Sequence, residues 1–214
     1  MNKPDWFPDW QDECVAIVAA GPSINQADVD KLRDRIHVVA INESYKLCKW
    51  ADILYSCDDA WWRLVNGAKD FPALKISQDK DAVARFPDIK RIKVKLVKGI
   101  IIHDLLMDEW GEVGGGGNSG FQCINLLAQS GVTAIALLGF DMCNRNGQIH
   151  WHGRHPSPMN NPIEYNYQQW RDRLHQVKPK LDVLGIDIVN CSPISTLQYY
   201  PRVSVDEMLA RWGL

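Results

Sequence analysis

The chain has 214 residues, of which 46% are hydrophobic, and its formal net charge is −2. This length and hydrophobic content suit the core of one large α/β domain. The charge and the lack of a long basic run argue against a large nucleic-acid-binding surface, and no apolar run reaches the roughly 18 residues of a membrane span.

Short apolar runs bounded by polar or turn residues predict seven strands. They span residues 14–21, 36–42, 51–59, 73–77, 89–97, 132–142 and 186–191. Helical spacing and capping residues predict helices between them. The predicted helices are six: one over residues 22–35, one that begins at residue 60, and four over residues 103–110, 120–129, 163–185 and 204–214. The alternation predicts one domain over residues 1–214, with a doubly wound, mostly parallel sheet and helices on both faces, a Rossmann-like α/β fold.

Small or polar residues follow several of the predicted strands. They are Gly21, Pro22 and Ser23 after the first strand, Asn42 after the second, Asp58 and Asp59 after the third, and Gly139, Phe140 and Asp141 at the end of the sixth. In open α/β sheets, ligands bind beyond the carboxyl ends of the strands, where the strand order reverses. Helix starts fronted by small residues, at 21–23 and 118–120, can bind phosphate through free amides and the helix dipole. Gly-Pro-Ser also forms ordinary strand-to-helix turns, so this motif leaves both interpretations open.

The run GGGGNSG, residues 114–120, indicates either an interdomain linker or a loop whose backbone approaches a ligand closely. It lies inside the alternation of strands and helices, between two predicted helices. We therefore expect a flexible loop that leads into a helix N-terminus at the ligand-binding edge of the sheet.

The adjacent acids Asp58 and Asp59 have two interpretations. A pair of carboxylates at a strand end can hold Mg²⁺ beside phosphates. The same residues can instead cap the helix that begins near Trp61. The first interpretation alone predicts magnesium as a cofactor at this position.

The segment HWHGRHP contains three of the six histidines, His150, His152 and His155. They could bind Zn²⁺ or another transition metal, with Asp141 or Cys143 as a further ligand. They could instead supply a general base, with Arg154 contacting a phosphate. Base or phosphate contact is favoured because no fourth metal ligand is obvious, and a surface loop with coincidental histidines remains the third interpretation.

The six cysteines are scattered and form no CxxC pair, and the first 14 residues contain no apolar core of signal-peptide length. We therefore expect a reduced, cytoplasmic protein. Self-association stays open, because Trp6, Phe7 and Trp10 could form a dimer contact or pack back on the domain.

Three segments together resemble a known family. They are VAIVAAGPSI, VVAINESY and GGNSGFQCINLLAQSGVTAIALLGFDM. In order and spacing they resemble the bacterial sialyltransferases that extend lipooligosaccharide, and the related MptE-like (hydroxymethylpterin diphosphokinase-like) proteins. These families share a Gly-Pro-Ser turn after the first strand, an Asn after the second, a Ser-Gly helix start and a Gly-x-Asp strand end. The chain also resembles a set of short phage-encoded proteins that carry a similar histidine loop.

The sialyltransferase resemblance implies a CMP-sugar donor. The residues implied along the nucleotide are Gly21, Pro22, Ser23, Asn42, Asn118, Ser119, Gly120, Gly139, Phe140 and Asp141. A histidine is the general base in that family, so the resemblance implies His150, His152 or His155. The family also carries a tyrosine just after Gly-x-Asp that helps the leaving phosphate. Met142 stands there in this chain, and Tyr165 or Tyr167 could replace it in space.

Three functions follow as hypotheses. The first is a nucleotide-dependent transferase, specifically a glycosyltransferase that uses a CMP-type sugar donor, with a loop histidine as base and Arg154 near the leaving group. The second, which the MptE-like resemblance implies, is a Mg²⁺-dependent phosphoryl transferase that uses Asp58, Asp59 or Asp141. The third is a non-catalytic nucleotide-binding protein, with phage origin as one source. In each case the partner is a nucleotide or nucleotide sugar, and the acceptor is unnamed.

Overall fold

The computed structural model describes residues 2–214. Its strands are β1 (Cys14–Val18), β2 (His37–Ile41), β3 (Ile53–Tyr55), β4 (Leu74–Ser77), β5 (Ile89–Arg91), β6 (Lys93–Val94), β7 (Leu96–Val97), β8 (Ile100–Ile101), β9 (Glu112–Val113), β10 (Ala134–Leu138) and β11 (Asp187–Asn190). Its helices are α1 (Gln26–Asp30), α2 (Asp59–Leu64), α3 (Lys80–Arg85), α4 (Ser119–Gln129), α5 (Glu164–Val183) and α6 (Val205–Trp212). A single 3₁₀ turn spans Asn42–Lys46 within these described residues.

The main sheet has seven parallel strands in the order β11-β10-β1-β2-β3-β4-β5. The chain starts in the middle at β1, builds outward to β5, and then returns to β10 on the other side of β1. The strand order therefore reverses between β1 and β10, which is the place where such sheets bind ligands. The predicted doubly wound, Rossmann-like α/β fold is confirmed.

Both faces of the sheet are covered, because alternate side chains of each strand point to opposite faces. In β1, Val15 and Ile17 pack into one core with Phe121 of α4 and Leu174 of α5. Ala16 and Val18 pack into the other core, which the shorter helices α1, α2, α3 and α6 cover. Burial on both faces explains why β1 is a continuous apolar run.

The segment between β5 and α4 differs most from the sequence prediction. The predicted strand 89–97 is divided into β5, β6 and β7, and the predicted helix at 103–110 does not form. Side chains of α4 hold this irregular segment instead. Asn125 Oδ1 accepts from the N–H groups of Leu106 and Gly114, and Gln129 Nε2 donates to three carbonyl oxygens between residues 106 and 112. The buried backbone of the segment therefore finds its hydrogen-bond partners without helix formation.

The glycine run packs tightly and is not a flexible loop. A Cβ atom at Gly114 would overlap the carbonyl oxygen of Asp104, and one at Gly116 would overlap the Phe121 ring. Gly117 has a φ of +78°, in the left-handed region. The glycines thus allow the chain just before α4 to pack closely against Asp104 and the Phe121 ring.

The N-terminal aromatic residues pack back on the domain. Phe7 is buried in the core, and the Trp10 ring stacks on His37 with a centroid distance of 4.5 Å. Across residues 2–214, no helix combines the length and the apolar character needed to cross a membrane.

Candidate functional site

A cavity of about 310 Å³ lies at the reversal point between β1 and β10. Its wall contains most of the residues that the sequence singled out: Gly21, Pro22, Asn42, Asp58, Asn118, Ser119, Gly120, Gly139, Phe140, Asp141, His150 and His155. Four of the predicted residues, Ser23, Asp59, His152 and Arg154, are not part of this wall. Segments far apart in sequence thus surround one space at the predicted edge of the sheet.

The turn after β1 is connected to the end of β10 by a buried carboxylate. Asp141 is only 1% exposed, and its two oxygens accept hydrogen bonds from the Ser23 amide at 2.8 Å and the Ser23 hydroxyl at 2.7 Å. Burial raises the pKa of Asp141 to about 6, and the Ser23 hydrogen bonds oppose that rise. Both carboxylate oxygens therefore already have partners, which leaves Asp141 poorly suited as a metal ligand.

This connection corrects the predicted phosphate site at residues 21–23. The Gly21 amide donates to the Gly139 carbonyl at 2.9 Å, the Ser23 amide donates to Asp141, and Pro22 has no N–H group. The helix that follows is also only five residues long and is capped by Asn25, not Ser23. The prediction that these amides hold an anion is wrong, because each donor already has an acceptor within the protein.

Unlike the turn after β1, the start of α4 has free backbone amides. Asn118 caps the helix by accepting from the Phe121 amide at 2.9 Å. Ser119 and Gly120 line the cavity, and their N–H groups have no acceptor among residues 2–214. The Ser119 hydroxyl accepts from the Cys57 amide at 3.3 Å. Free amides and the positive end of the helix dipole make this an anion-binding position.

Three further polar atoms of the cavity wall are buried without a hydrogen-bond partner. They are Asn42 Oδ1, His150 Nε2 and the Tyr167 hydroxyl. Asn42 also adopts a φ of +50°, which is uncommon outside glycine. Burial raises the pKa of Tyr167 to about 12, so its hydroxyl stays protonated and can donate a hydrogen bond. Of the two tyrosines that the sequence left open, Tyr167 lines the cavity and Tyr165 is 67% exposed.

Hydrogen bonds from backbone and side-chain groups hold the histidine loop over the cavity. The Trp151 amide donates to the Ala20 carbonyl at 3.1 Å, and its indole N–H donates to the Ser44 hydroxyl at 3.3 Å. His155 is fixed by Asn161, whose side chain accepts from its amide at 2.8 Å and donates to its carbonyl at 3.0 Å. These contacts hold His150 and His155 in the cavity wall.

Burial lowers the pKa of all three loop histidines, to about 3 for His150 and about 4 for His152. For His155, the carboxylates of Glu43 and Asp58 oppose this effect. The rings are therefore neutral at pH 7, and the Nε2 atoms of His150 and His152 have no hydrogen-bond partner among the described residues. Arg154 is exposed beside them.

The acid pair after β3 is divided between two roles. Asp59 forms ion pairs with Arg63 at 2.9 Å and Arg85 at 3.7 Å. Asp58 holds the N-cap position of α2 without making the side-chain capping bond, and it lines the cavity. Burial raises the pKa of Asp58. Only Asp58 of this pair therefore lines the cavity.

Comparisons with known proteins give a structural neighbour. Neither a family model nor a curated protein matches the sequence. The structure of the sialyltransferase CstII from Campylobacter jejuni with the substrate analogue cytidine-5′-monophosphate superposes on 91% of this chain and 86% of its own, with a TM-score of 0.55 and 13% identity. A second structure of that enzyme, with CMP-3FNeuAc, covers 89% of this chain with a TM-score of 0.48.

The fold is sialyltransferase-like. At 13% identity the likeness concerns the arrangement of strands and helices, and the first of the two structures supports it. This arrangement puts the turn after β1, the start of α4 and the end of β10 around one cavity, as described above.

Sequence reasoning missed several residues of this cavity. The cavity wall includes Asn161, Asn166 and Trp170, which were not among the predicted site residues. Tyr167 had been considered only as a replacement in space for the tyrosine that the family carries at the position of Met142. Arg173 donates to the Gly116 carbonyl at 3.2 Å and so lies beside the glycine run. The only local signal for them was the polar segment MNNP just ahead of α5.

Proposed function

We propose that the protein is a glycosyltransferase that uses a nucleotide-activated sugar of the CMP type. The observation that carries this proposal is the set of unused polar groups in one cavity. It combines two free amides at the start of α4 with the unpaired Asn42 oxygen and Tyr167 hydroxyl. Buried polar groups without partners are costly, and a ligand that satisfies them together accounts for their presence.

A nucleotide fits the chemistry of these groups. Its phosphate would accept from the Ser119 and Gly120 amides and from the Tyr167 hydroxyl, which are all donors. The Trp170 indole and Phe140 ring in the same wall offer apolar surface for a base or ribose. The sialyltransferase-like fold, whose solved neighbour holds cytidine-5′-monophosphate, favours cytidine over other bases.

His155 is the residue that we assign to proton transfer. It lines the cavity, it is held by Asn161, and the Asp58 carboxylate lies close enough to raise its pKa against the effect of burial. In the proposed reaction the His155 imidazole accepts the proton of the acceptor hydroxyl as the acceptor oxygen bonds to the sugar. The bond between sugar and phosphate breaks, and the nucleotide leaves with its electron pair. Free amides at α4 stabilise that negative charge.

Isothermal titration with CMP, UMP, GMP and AMP tests the binding part of this proposal. We expect CMP to bind most tightly, at one site per chain. Tyr167→Phe should weaken CMP binding by roughly 3- to 10-fold, the value of one hydrogen bond. The matched control is Tyr165→Phe, which alters an exposed ring of the same helix and should leave binding unchanged. Absence of binding for every nucleotide and nucleotide sugar would rule the proposal out.

Turnover of CMP-sugars in the presence of candidate acceptors tests the catalytic part. His155→Gln should lower kcat by about 10²- to 10⁴-fold, the range for a general base, and leave the affinity for CMP near that of the parent chain. If the parent chain binds CMP but never turns over a CMP-sugar, the protein is a nucleotide-binding protein without transferase activity. Activity that vanishes with EDTA and in Asp58→Asn would point to Mg²⁺-dependent phosphoryl transfer instead.

A further inference from the structure

Three imidazole rings converge at the edge of the cavity. In His150, His152 and His155, one ring nitrogen from each lies within 4.8 Å of those of the other two. Ring centroids are separated by 4.5 to 5.2 Å. Within residues 2–214, no other three histidine, cysteine or acidic side chains bring their ligand atoms this close together.

Two of these rings carry a nitrogen that has no use within the protein. The Nε2 atoms of His150 and His152 are buried and have no hydrogen-bond partner among the described residues. His37 is a contrast, because its ring pairs with Asp52 at 3.2 Å. Two unpaired nitrogens in one cluster suggest a shared partner that accepts lone pairs, and a metal ion is the simplest such partner.

The charge around the cluster suits a divalent cation. Metal ligation needs neutral imidazoles, and a histidine side chain is mostly neutral at pH 7. Glu43 lies near His152 and His155, and Asp58 lies near His155. Glu43 also forms an ion pair with Lys46, so its negative charge is only partly available to a bound cation.

We propose that His150, His152 and His155 bind one divalent transition-metal ion, for which zinc is the best fit. Zinc takes three histidines at about 2.0–2.1 Å in tetrahedral sites, which corresponds to nitrogen separations of about 3.3 Å. Reaching that separation from the present upper limit of 4.8 Å requires rotation of the histidine side chains. Three protein ligands leave one coordination position open, and two of them, His150 and His155, line the cavity.

This site goes beyond the proposed function and has a consequence for it. The lone pair that would coordinate zinc on His155 is the one that would accept the acceptor's proton. The two roles exclude each other in the same molecule. Zinc at saturating concentration should therefore inhibit the proposed transfer, and its removal should restore it.

Zinc titration of the full chain without a histidine tag tests the site. The protein is stripped with EDTA, dialysed, and titrated with ZnCl₂ in competition with a chromophoric chelator, and bound zinc is counted by mass spectrometry of the elements. We expect one zinc per chain. His152→Ala should weaken binding by more than about 100-fold, because even outer partners of metal ligands contribute 10- to 100-fold.

The matched control is His175→Ala, which removes a histidine that packs edge-to-face against Tyr199 outside the cluster and should bind zinc like the parent chain. His152→Gln repeats the test with a closer shape, and circular dichroism of each metal-free variant checks folding. Zinc should raise the Tm of the parent chain and of His175→Ala but not of either His152 variant. Cobalt in place of zinc should give the visible absorption of a four-coordinate ion.

Less than one zinc per chain at saturation, or equal affinity in the parent chain and both His152 variants, would overturn the proposal. None of these measurements uses a nucleotide. The zinc site and the transferase function can therefore fail independently of each other.

Discussion

The turn after β1 and the start of α4 look alike in sequence and differ in the structure. Both segments consist of small residues, and the cavity wall includes Gly21 and Pro22 of the first and Ser119 and Gly120 of the second. In the turn, the Gly21 and Ser23 amides already donate to Gly139 and Asp141. At α4, the Ser119 and Gly120 amides have no acceptor among the described residues. Composition alone therefore does not identify an anion site, because the partners of the amides decide it.

The rest of the cavity wall follows the same division. On the side that joins β1 to β10, polar groups are paired with one another, and we expect substitutions there to change stability. On the side formed by α4, Asn42, Tyr167 and the histidine loop, several polar groups are unpaired, among them Asn42 Oδ1, His150 Nε2 and the Tyr167 hydroxyl. Substitutions on that side should change ligand binding more than stability.

Asp141→Ala gives the largest expected loss of stability on the paired side. It leaves the buried amide and hydroxyl of Ser23 without acceptors, so we expect the free energy of unfolding to fall by about 2–4 kcal/mol. Urea denaturation measures this change. Ser23→Ala should cost less, about 1 kcal/mol, because its amide keeps the bond to Asp141. A loss below about 1 kcal/mol for Asp141→Ala would show that the Ser23–Asp141 connection is not important for folding.

Gly139→Ala separates close packing from backbone strain. Gly139 and Gly185 have nearly equal φ values, +71° and +74°, but a Cβ at Gly139 would overlap the Ala19 carbonyl, whereas one at Gly185 meets nothing within 4 Å. Both variants carry the same left-handed strain of about 1 kcal/mol. Gly139→Ala should cost a further 1–3 kcal/mol or so from overpacking, measured by urea denaturation. Equal losses at the two positions would contradict the close contact between the two strand ends.

The smallest expected effect is on the pH dependence of stability, because solvent partly screens the loop histidines. The pKa of His152 is about 4 in the folded protein and about 6.5 in an unfolded chain. Between these two pH values the unfolded state binds more protons at His152 than the folded state does. The contribution of the neutral His152 ring to stability is therefore complete above pH 6.5 and is lost as the pH falls toward 4. In the metal-free protein, His152→Gln should therefore lose less stability over that range than the parent chain.

Asp141 works in the opposite direction, because its pKa of about 6 is raised above that of an unfolded carboxyl group. Its contribution to stability is greatest at low pH and is lost as the pH rises through 6. The difference between His152→Gln and the parent chain, measured by urea denaturation at each pH, cancels this second effect. No difference between the two proteins would show that the His152 ring is not desolvated.

The sequence predicted the fold well because the fold depends on local patterns. The buried runs that became β1, β2 and β10 and the capping box of Ser204 and Glu207 are visible in a few neighbouring residues. The prediction of a helix at 103–110 was wrong because the structure of this segment depends on distant residues. Its backbone is held by Asn125 and Gln129, and no pattern within the segment reports partners that lie so far along the chain.

The candidate site was predictable as a location but not as a set of interactions. Strand ends indicated which residues would surround the cavity. The pairing of Ser23 with Asp141 spans 118 positions and could not be read from either motif. Tyr167 and Trp170 share the helical spacing of core residues, and only the placement of α5 against the sheet turns them toward the cavity.

The central claim is that a nucleotide phosphate binds at α4 and not at the turn after β1. Amide chemical shifts in the ¹⁵N-labelled protein, compared between added CMP and added cytidine, test it most directly. We predict that CMP shifts the Ser119 and Gly120 amides far more than cytidine does, and that the Gly21 and Ser23 amides respond alike to both. Phosphate-dependent shifts at Gly21 and Ser23, with Ser119 and Gly120 unaffected, would contradict the account.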